Sequence, residues 1–234
     1  MGEPQRRVSP GWLVTIEGPD GGGKTLVARL ARDVLVARGL PVLLTREPGG
    51  TPLGDRIRSM VLDFDPSDPR LAPRADALLF AAARAQHVAE VIEPGLARGE
   101  IVLCARYADS SLAYQGYGLG LPLDEMRSLQ EFATGGRWPD LTVLLDLPVE
   151  VGLARKQSDE QTRFEAAFDL AYHERVRAGY LDMAAAEPKR WVIIDAAASV
   201  ETVVAGTLEA IDRLIGAPSG TPTEPSAPPL RIHS

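Results

Sequence analysis

A glycine-rich stretch near the N-terminus has the residue types and the spacing of a phosphate-binding loop. The segment GPDGGGKT, residues 18–25, matches the pattern G-x-x-x-x-G-K-[ST] in full, with an apolar run before it and a helical pattern after it. The glycines let the backbone turn so that successive N–H groups converge on phosphate oxygens, and the following helix presents its positive end to the same anion. The segment therefore predicts a nucleoside triphosphate site.

The last two residues of this loop have separate chemical tasks. Lys24 is placed to reach the β- and γ-phosphates, and the hydroxyl of Thr25 is a ligand for Mg²⁺. Mg²⁺ bound with the nucleotide is therefore the expected cofactor. The nucleotide-binding residues predicted in the loop are Gly18, Pro19, Asp20, Gly21, Gly22, Gly23, Lys24 and Thr25.

Short apolar runs alternate with longer helical patterns along the rest of the chain. Most of the runs are apolar throughout, which is typical of strands covered on both faces. The pattern predicts an α/β fold of the P-loop NTPase type, a five-stranded parallel sheet with helices on both faces and ligands at the carboxyl ends of its strands. Strands are predicted at 12–17, 41–45, 101–105, 141–146 and 191–195, and helices at 24–38, 74–98, 125–134, 164–186 and 200–214.

Composition narrows the classes of partner. The chain has 234 residues and a formal net charge of −7, so we expect one domain without a general basic field for nucleic acid or anionic lipid. The apolar run at 12–16 is too short for a signal sequence or a membrane span, and we expect a cytoplasmic protein. Residues 1–10 are predicted to be a flexible N-terminus, and 217–234, rich in Pro, Ser and Thr, a disordered tail.

Two arginines are predicted to form a second anion site beside the loop. Arg46 ends the second strand in the segment TREPGGT, and Arg106 follows the third. Both therefore lie at the carboxyl edge of the sheet, where they can clamp an acceptor phosphate as a kinase requires. A guanine-specific switch is disfavoured, because a chain without asparagine has no N-K-x-D segment. An ATPase stays open as an alternative, although Asp146 supplies only half of its acidic strand end.

The predicted helix at 74–98 has a face that can read an acceptor. Phe80, Arg84 and His87 are spaced i, i+4 and i+7, so they share one side of the helix. Phe80 can stack on a base or pack in the core, and Arg84 can donate to a ring carbonyl. His87 is expected to be an ordinary helix residue.

Together these motifs resemble the bacterial thymidylate kinases, P-loop enzymes that phosphorylate dTMP to dTDP with ATP. The resemblance runs from Gly11 to about Ile215 and makes 11–216 a P-loop kinase domain with a lid at about 155–163. It rests on the segments EGPDGGGKT, TREPGGT, LLFAAARAQHV, ARYADSSLAYQGYGLGL, WPDLTVLLDLP and TRFE.

The resemblance implies a role for each matching position, ATP and dTMP as substrates, and a homodimer. Arg46 and Arg106 hold the dTMP phosphate, and Asp20 contacts the 3′-hydroxyl. In the lid, Arg155 contacts ATP, and Arg163 is the first choice for a catalytic arginine beside Lys24, Arg46 and Arg106. At the base and sugar, Phe80 stacks on thymine, Arg84 binds its O4, Ser111 and Gln115 lie near the base edge, and Tyr114 packs on the sugar.

The chain departs from the family pattern in two places. The third strand ends Ala105-Arg106-Tyr107, where relatives carry an aspartate before the arginine. That aspartate would orient Arg106 or hold Mg²⁺ through water, so its loss predicts impaired turnover and better-preserved binding. The lid is also less cationic than usual, since Asp159 and Glu160 lie within it. A catalytically weak nucleotide-binding module therefore remains an alternative to an active kinase.

Overall fold

The structure is a computed structural model that describes residues 11–63, 71–156 and 168–216. Within them one sheet contains the parallel strands β1 (Trp12–Glu17), β2 (Val42–Arg46), β3 (Ile101–Ala105), β4 (Leu141–Asp146) and β5 (Trp191–Asp195). Their order in the sheet is β2-β3-β1-β4-β5. The predicted strands are confirmed, with β2 displaced by one residue. The predicted flexible N-terminus, the tail and most of the lid lie outside the described residues.

The helices follow the predicted alternation with the strands. The predicted helix at 74–98 contains a wider π-helical turn at Val88–Ile92, just before Pro94, a residue that lacks an N–H and cannot continue a regular helix. A second π-helical turn, Leu112–Gly118, follows the short helix at Ala108–Ser111. The helices are α1 (Lys24–Ala37), α2 (Pro52–Leu62), α3 (Pro73–His87), α4 (Glu93–Ala97), α5 (Ala108–Ser111), α6 (Leu123–Thr134), α7 (Val149–Lys156), α8 (Leu170–Ala186) and α9 (Val200–Ile215).

Helix α2 was not predicted, although its start carries a recognisable signal. The Thr51 hydroxyl accepts a hydrogen bond from the Gly54 amide at 2.9 Å, and Pro52 occupies the first turn. Threonine at the cap and proline immediately after it are both favoured at helix N-termini. Helices α5 and α7 and the Leu112–Gly118 turn were also not predicted.

Helices cover both faces of the sheet, as predicted. Val14 and Ile16 of β1 belong to a buried core shared with α1 and α9, whereas Leu13 packs on the opposite side with residues of α4 and of the π-helical turn before it. Successive strand residues point to opposite faces, so this division follows from the period of a strand. In the described part of the chain, no helix has the length and apolar character needed to cross a membrane.

The register of the sheet determines which residues meet at its carboxyl edge. Ala105 of β3 lies opposite Ile16 of β1 on one side and Arg46 of β2 on the other. The ends of these three strands are therefore neighbours, and the phosphate loop leaves the sheet directly after Glu17. Ligands of open parallel sheets bind at such an edge.

Candidate active site

The phosphate loop needs two of its glycines for close backbone contacts. At Gly18, φ is +139°, and a side chain would begin 2.3 Å from the carbonyl oxygen of Leu145. At Gly21, φ is +77°, and a side chain would begin 2.1 Å from the carbonyl oxygen of Gly152 in α7. The loop is thus pressed against β4 and α7, and only glycine fits without movement at these positions.

Lys24 opens helix α1 and is largely buried. Its Nζ donates to the carbonyl oxygens of Gly18 at 2.9 Å and Pro19 at 2.6 Å. Burial and the nearby positive charge of Arg106 lower the pKa of Lys24 to about 7, against the opposing charge of Asp20. The Lys24 and Thr25 amides lie in the first helical turn and have no partner within the helix, so they are available to an anion.

Arg106 reaches the phosphate loop from the end of β3. It has a φ of +67°, in the left-handed region that residues other than glycine seldom occupy. Its guanidinium forms an ion pair with Asp20 and donates to the Tyr114 hydroxyl at 3.0 Å and to the Gly18 carbonyl at 3.4 Å. The same guanidinium lies 4.8 Å from the centre of the Tyr114 ring. Arg106 is therefore fixed between the loop and the Leu112–Gly118 turn.

Asp20 supplies a negative charge within the phosphate loop. Its Oδ2 accepts a hydrogen bond from the Tyr114 hydroxyl at 2.8 Å. Burial alone would raise the pKa of Asp20, but the charges of Arg106 and Lys24 and the bond from Tyr114 hold it below its ordinary value. Asp20 is therefore ionised at neutral pH.

A third arginine, which was not predicted, accompanies Arg46 and Arg106. Arg58 on α2 lines the same cavity and donates to the Pro48 carbonyl at 3.0 Å. Burial and the positive charges of Arg46 and Arg106 lower the pKa of Arg58. Three guanidinium groups thus lie near one another on one side of the loop. The helix that supplies Arg58 was itself missed, which explains why the residue was not predicted.

Arg84 lies beneath the cavity, and its side chain is only 1% exposed. Its guanidinium donates to Glu47 Oε2 at 2.7 Å, to Ser111 Oγ at 2.9 Å, to the Tyr107 carbonyl at 2.8 Å and to Gln130 Oε1. A guanidinium has five N–H donors, so these bonds occupy four of them and leave one.

His87 differs from the expectation of an ordinary helix residue. It is completely buried, with Nδ1 2.9 Å from Glu47 Oε1 and Nε2 2.6 Å from the Thr45 hydroxyl. Glu47 therefore bridges His87 and Arg84 at the end of β2. Nothing local in the sequence marks this glutamate, because its partners lie 37 and 40 positions away.

One cavity of about 410 Å³ joins most of the predicted residues. Gly18, Pro19, Gly22 and Arg84 lie outside its lining, and Arg163 lies outside the described residues. Phe80 contributes both to the cavity wall and to the core, so its two predicted roles coexist. The predicted residues that line the cavity are Asp20, Gly21, Gly23, Lys24, Thr25, Arg46, Phe80, Arg106, Ser111, Tyr114, Gln115 and Arg155.

The donor set at the loop is suited to a metal held mainly by a nucleotide. Thr25 places a hydroxyl oxygen on the cavity wall, and the described residues contain no cluster of three or more His, Cys, Asp or Glu side chains arranged to hold a metal. Mg²⁺ usually keeps several waters and is bound through few protein ligands plus phosphate oxygens. The residues present therefore fit Mg²⁺ that arrives with a nucleotide.

Fold and site define the class of protein. A parallel sheet whose first strand leads into a glycine-rich loop, a lysine and a helix is the fold of the P-loop nucleotide-binding proteins, and the cavity extends from this loop to an arginine cluster.

Comparison with known proteins identifies the family. The model of the thymidylate kinase family matches residues 16–206. The chain is 48% identical to the thymidylate kinase of Herpetosiphon aurantiacus, over 85% of this chain and 94% of that one. It is 51% identical to that of a Roseiflexus species, over 82% and 89% of the two chains. The chain belongs to the thymidylate kinase family.

A solved structure supports the same assignment. The crystal structure of thymidylate kinase from Ehrlichia chaffeensis superimposes with a TM-score of 0.67 at 31% sequence identity. The match covers 88% of this chain and 99% of that chain. The α/β fold with a five-stranded parallel sheet is therefore shared along nearly the whole length of that relative.

Proposed function

We propose that this protein transfers the γ-phosphoryl group of ATP to dTMP, giving ADP and dTDP. The observation that carries the proposal is that one cavity joins the phosphate loop to the arginine cluster and to Phe80. A donor and an acceptor nucleotide can therefore meet in one site with their phosphates facing each other. Family membership supports the same reaction.

The phosphate loop and the arginines position the two phosphates for in-line transfer. The loop amides and Lys24 bind the β- and γ-phosphates of ATP, while Arg46, Arg106 and Arg58 hold the acceptor phosphate. An oxygen of dTMP attacks the γ-phosphorus, and the bond from that phosphorus to the bridging oxygen of ADP breaks. The attacking oxygen is already anionic, so no side-chain base is needed. Catalysis then depends on positioning and on charge neutralisation.

Mg²⁺ would be held by the Thr25 hydroxyl together with phosphate oxygens and water. When bound, it neutralises charge on the β- and γ-phosphates. Of the lid residues, Arg155 lines the cavity. Arg163, which lies outside the described residues, is the further residue we assign to the transferring group.

The base site distinguishes thymine by its ring carbonyls. Phe80 offers a ring for stacking. We assign thymine O4, where cytosine has an amino group, to Arg84, which lies outside the cavity lining and has one N–H beyond its four hydrogen bonds. Ser111 and Gln115 lie at the base edge, and the Gln115 amide is held by Asp76 Oδ2 at 2.9 Å. Tyr114 packs against the sugar.

The sugar hydroxyl is assigned to Asp20. Its carboxylate is ionised and lies at the cavity wall, where a ribose or deoxyribose 3′-hydroxyl can donate to it. The Tyr114 hydroxyl and Arg106 keep it in place.

Ala105 lowers the rate of transfer in our proposal. It lines the cavity between Arg46 and Arg106, at the position where the family pattern usually has an aspartate. Loss of that carboxylate removes a group beside the acceptor phosphate and leaves the arginines in place. Binding of dTMP is therefore retained better than turnover.

The geometry favours a kinase over an ATPase that uses Asp146. Both carboxylate oxygens of Asp146 accept hydrogen bonds from Arg177 of α8, at 2.8 and 2.9 Å. Asp146 is also absent from the cavity lining. A binding module without turnover stays the second candidate, because Ala105 and the weakly cationic lid are consistent with it.

We also propose that the protein is a homodimer. One side of α3 has an exposed apolar stripe formed by Ala75, Leu78, Ala82 and Ala85. Leu78 is 57% exposed, and α2 and α6, which flank α3, expose Met60 and Phe132. An apolar surface spread over three adjacent helices is typical of a subunit interface.

The proposal is tested by coupled ADP release with ATP, Mg²⁺ and dTMP, alongside calorimetric titration of dTMP. We expect dTMP-dependent ADP release and dTMP binding well below millimolar concentration. Hydrolysis that does not depend on dTMP would favour the ATPase. Binding without turnover, in this chain and in Ala105→Asp alike, would favour the binding module. Absence of dTMP binding at millimolar concentration would contradict the proposed acceptor.

A further inference from the structure

A buried carboxylate lies directly below the acceptor side of the cavity. Glu17 is the last residue of β1 and has no exposed surface. Its Oε1 accepts a hydrogen bond from the Tyr107 amide at 2.6 Å. Its Oε2 accepts from the Ser110 hydroxyl at 2.6 Å and from the Tyr180 hydroxyl at 3.0 Å. The carboxylate thus ties β1 to the turn after β3 and to α8.

The turn that Glu17 binds is the one that presents Arg106. The left-handed backbone of Arg106 is unfavourable for a residue with a side chain, so surrounding contacts must hold it. Two of them come from the end of β1: the Arg106 amide donates to the Ile16 carbonyl at 3.0 Å, and the next amide, that of Tyr107, donates to Glu17. A third comes from Cys104, whose thiol donates to the Arg106 carbonyl at 3.0 Å.

We propose that Glu17 is a positioning residue for the acceptor site. Its carboxylate holds the turn after β3 in the conformation that directs Arg106 into the cavity, and it thereby sets the affinity for the acceptor phosphate. Asp20 acts on the other end of the same residue, since it pairs with the guanidinium. This inference rests on the proposed function, because it takes the acceptor phosphate to be bound by Arg106.

The role of Glu17 is distinct from that of a general structural carboxylate. Asp109 is equally buried but pairs with Arg190 at 2.7 Å and accepts from Thr142, away from the cavity lining. Glu17 instead contacts the backbone next to a cavity residue. Its removal should therefore change binding of the acceptor and leave the ATP side unchanged.

A double-mutant cycle tests the inference, with the dissociation constant of dTMP measured by calorimetry. We expect Glu17→Ala to weaken dTMP binding about tenfold, the usual effect of losing a buried hydrogen bond. In an Arg106→Ala background, the same change should weaken binding by less than about threefold, because residues that act as one unit are not additive. The dissociation constant of ATP should differ by less than about threefold between Glu17→Ala and the parent. Equal loss in both backgrounds, or no loss in either, would overturn the proposal.

Two further variants separate positioning from folding. Glu17→Gln keeps a carbonyl oxygen for the Tyr107 amide and should restore dTMP binding to within about threefold of the parent. Tyr180→Phe removes a donor to the other oxygen and a contact with the Ser110 hydroxyl but leaves the bond from the Tyr107 amide in place, and should also stay within about threefold. If Glu17→Ala does not fold, Glu17→Asp, which withdraws the carboxylate by one methylene, replaces it in the cycle with the same expectation.

Amide hydrogen exchange supplies a readout that needs no substrate. The Tyr107 amide should exchange faster in Glu17→Ala than in the parent and in Tyr180→Phe. If the Tyr107 amide exchanges at the same rate in Glu17→Ala as in the parent, the inference is refuted, whether or not the variant binds dTMP. Failure of dTMP to bind the parent chain, with faster exchange in Glu17→Ala, would instead count against the proposed acceptor and leave the role of Glu17 in the turn supported.

Discussion

Replacement of Glu17 by glutamine should change how the stability of the protein depends on pH. Burial raises the pKa of Glu17 from 4.5 to about 7, and the charge of Asp109 adds to this, against the bonds from Ser110 and Tyr180 and the charge of Arg106. Between pH 4.5 and 7 the folded state therefore holds a proton that the unfolded state has released. The free energy of unfolding falls as pH rises through that window.

The size of the effect follows from the width of the window. Each pH unit contributes about 1.4 kcal/mol, so a window of about 2.5 units corresponds to about 3–4 kcal/mol, of which the part above pH 5 is about 3 kcal/mol. The side chain is completely buried, so solvent screening does not reduce this figure. Glutamine does not titrate, and it keeps the shape and one acceptor oxygen of the native side chain.

Urea unfolding of the parent and of Glu17→Gln at pH 5 and pH 8 measures the effect. The difference in unfolding free energy between the two proteins should shift by about 3 kcal/mol in favour of the glutamine form as pH rises. Using the difference cancels titration of groups common to both. Glu209→Gln, which removes an exposed carboxylate on α9, is the matched control. A difference between parent and variant that stays constant between the two pH values would refute the reasoning.

Three further changes test other parts of the site and the surface. Ala105→Asp should raise kcat by about tenfold or more, measured by coupled ADP release, because it restores a carboxylate beside the acceptor phosphate. The dissociation constant of dTMP, measured by calorimetry, should stay within about threefold of the parent value. An unchanged kcat would show that the missing carboxylate does not limit turnover. Arg84→Met should lower the unfolding free energy by about 3–5 kcal/mol in urea unfolding, because it removes the arginine that pairs with the buried Glu47. The control Arg98→Met breaks an exposed pair with Glu100 and should lower it by less than about 1 kcal/mol. Similar losses in the two variants would contradict this prediction. Leu78→Glu should convert the proposed dimer to a monomer, as judged by the molar mass from light scattering. The control Val36→Glu, on α1, should leave the dimer intact. A monomeric parent chain would rule out the proposed homodimer.

The features that sequence predicted well depend on local pattern. The β1 strand and the loop at 18–25 were predicted correctly because the apolar run, the glycine spacing and the helical pattern that indicate them are close together in the sequence. All predicted strands were confirmed because each contains a short apolar run bounded by Gly, Pro or charged residues, although only β1, β3 and β4 are buried almost throughout. The fold class followed from their alternation with helices.

The features that sequence missed depend on contacts between distant residues. Glu17 bonds to partners 90, 93 and 163 positions away, and no local pattern marks it. His87 was predicted to be an ordinary helix residue because the helical spacing shows which face of α3 it occupies but does not show that Thr45 and Glu47 contact it. Arg58 belongs to a helix whose start signal was overlooked. The polar scaffold around the cavity is therefore a property of tertiary packing.

This scaffold explains how an alanine can occupy the end of β3 without dismantling the site. The backbone of Ala105 carries the structural contacts: its carbonyl accepts from the Glu47 amide at 3.0 Å, and its register with β1 and β2 is continuous. The direction of Arg106 is fixed by Glu17 and Ile16 through the backbone and by Asp20 through the guanidinium. None of these contacts uses the side chain at 105. In the proposed reaction, alanine in place of the family's aspartate therefore removes a charge while Arg106 keeps its position, and we expect a defect in turnover rather than in binding of the acceptor.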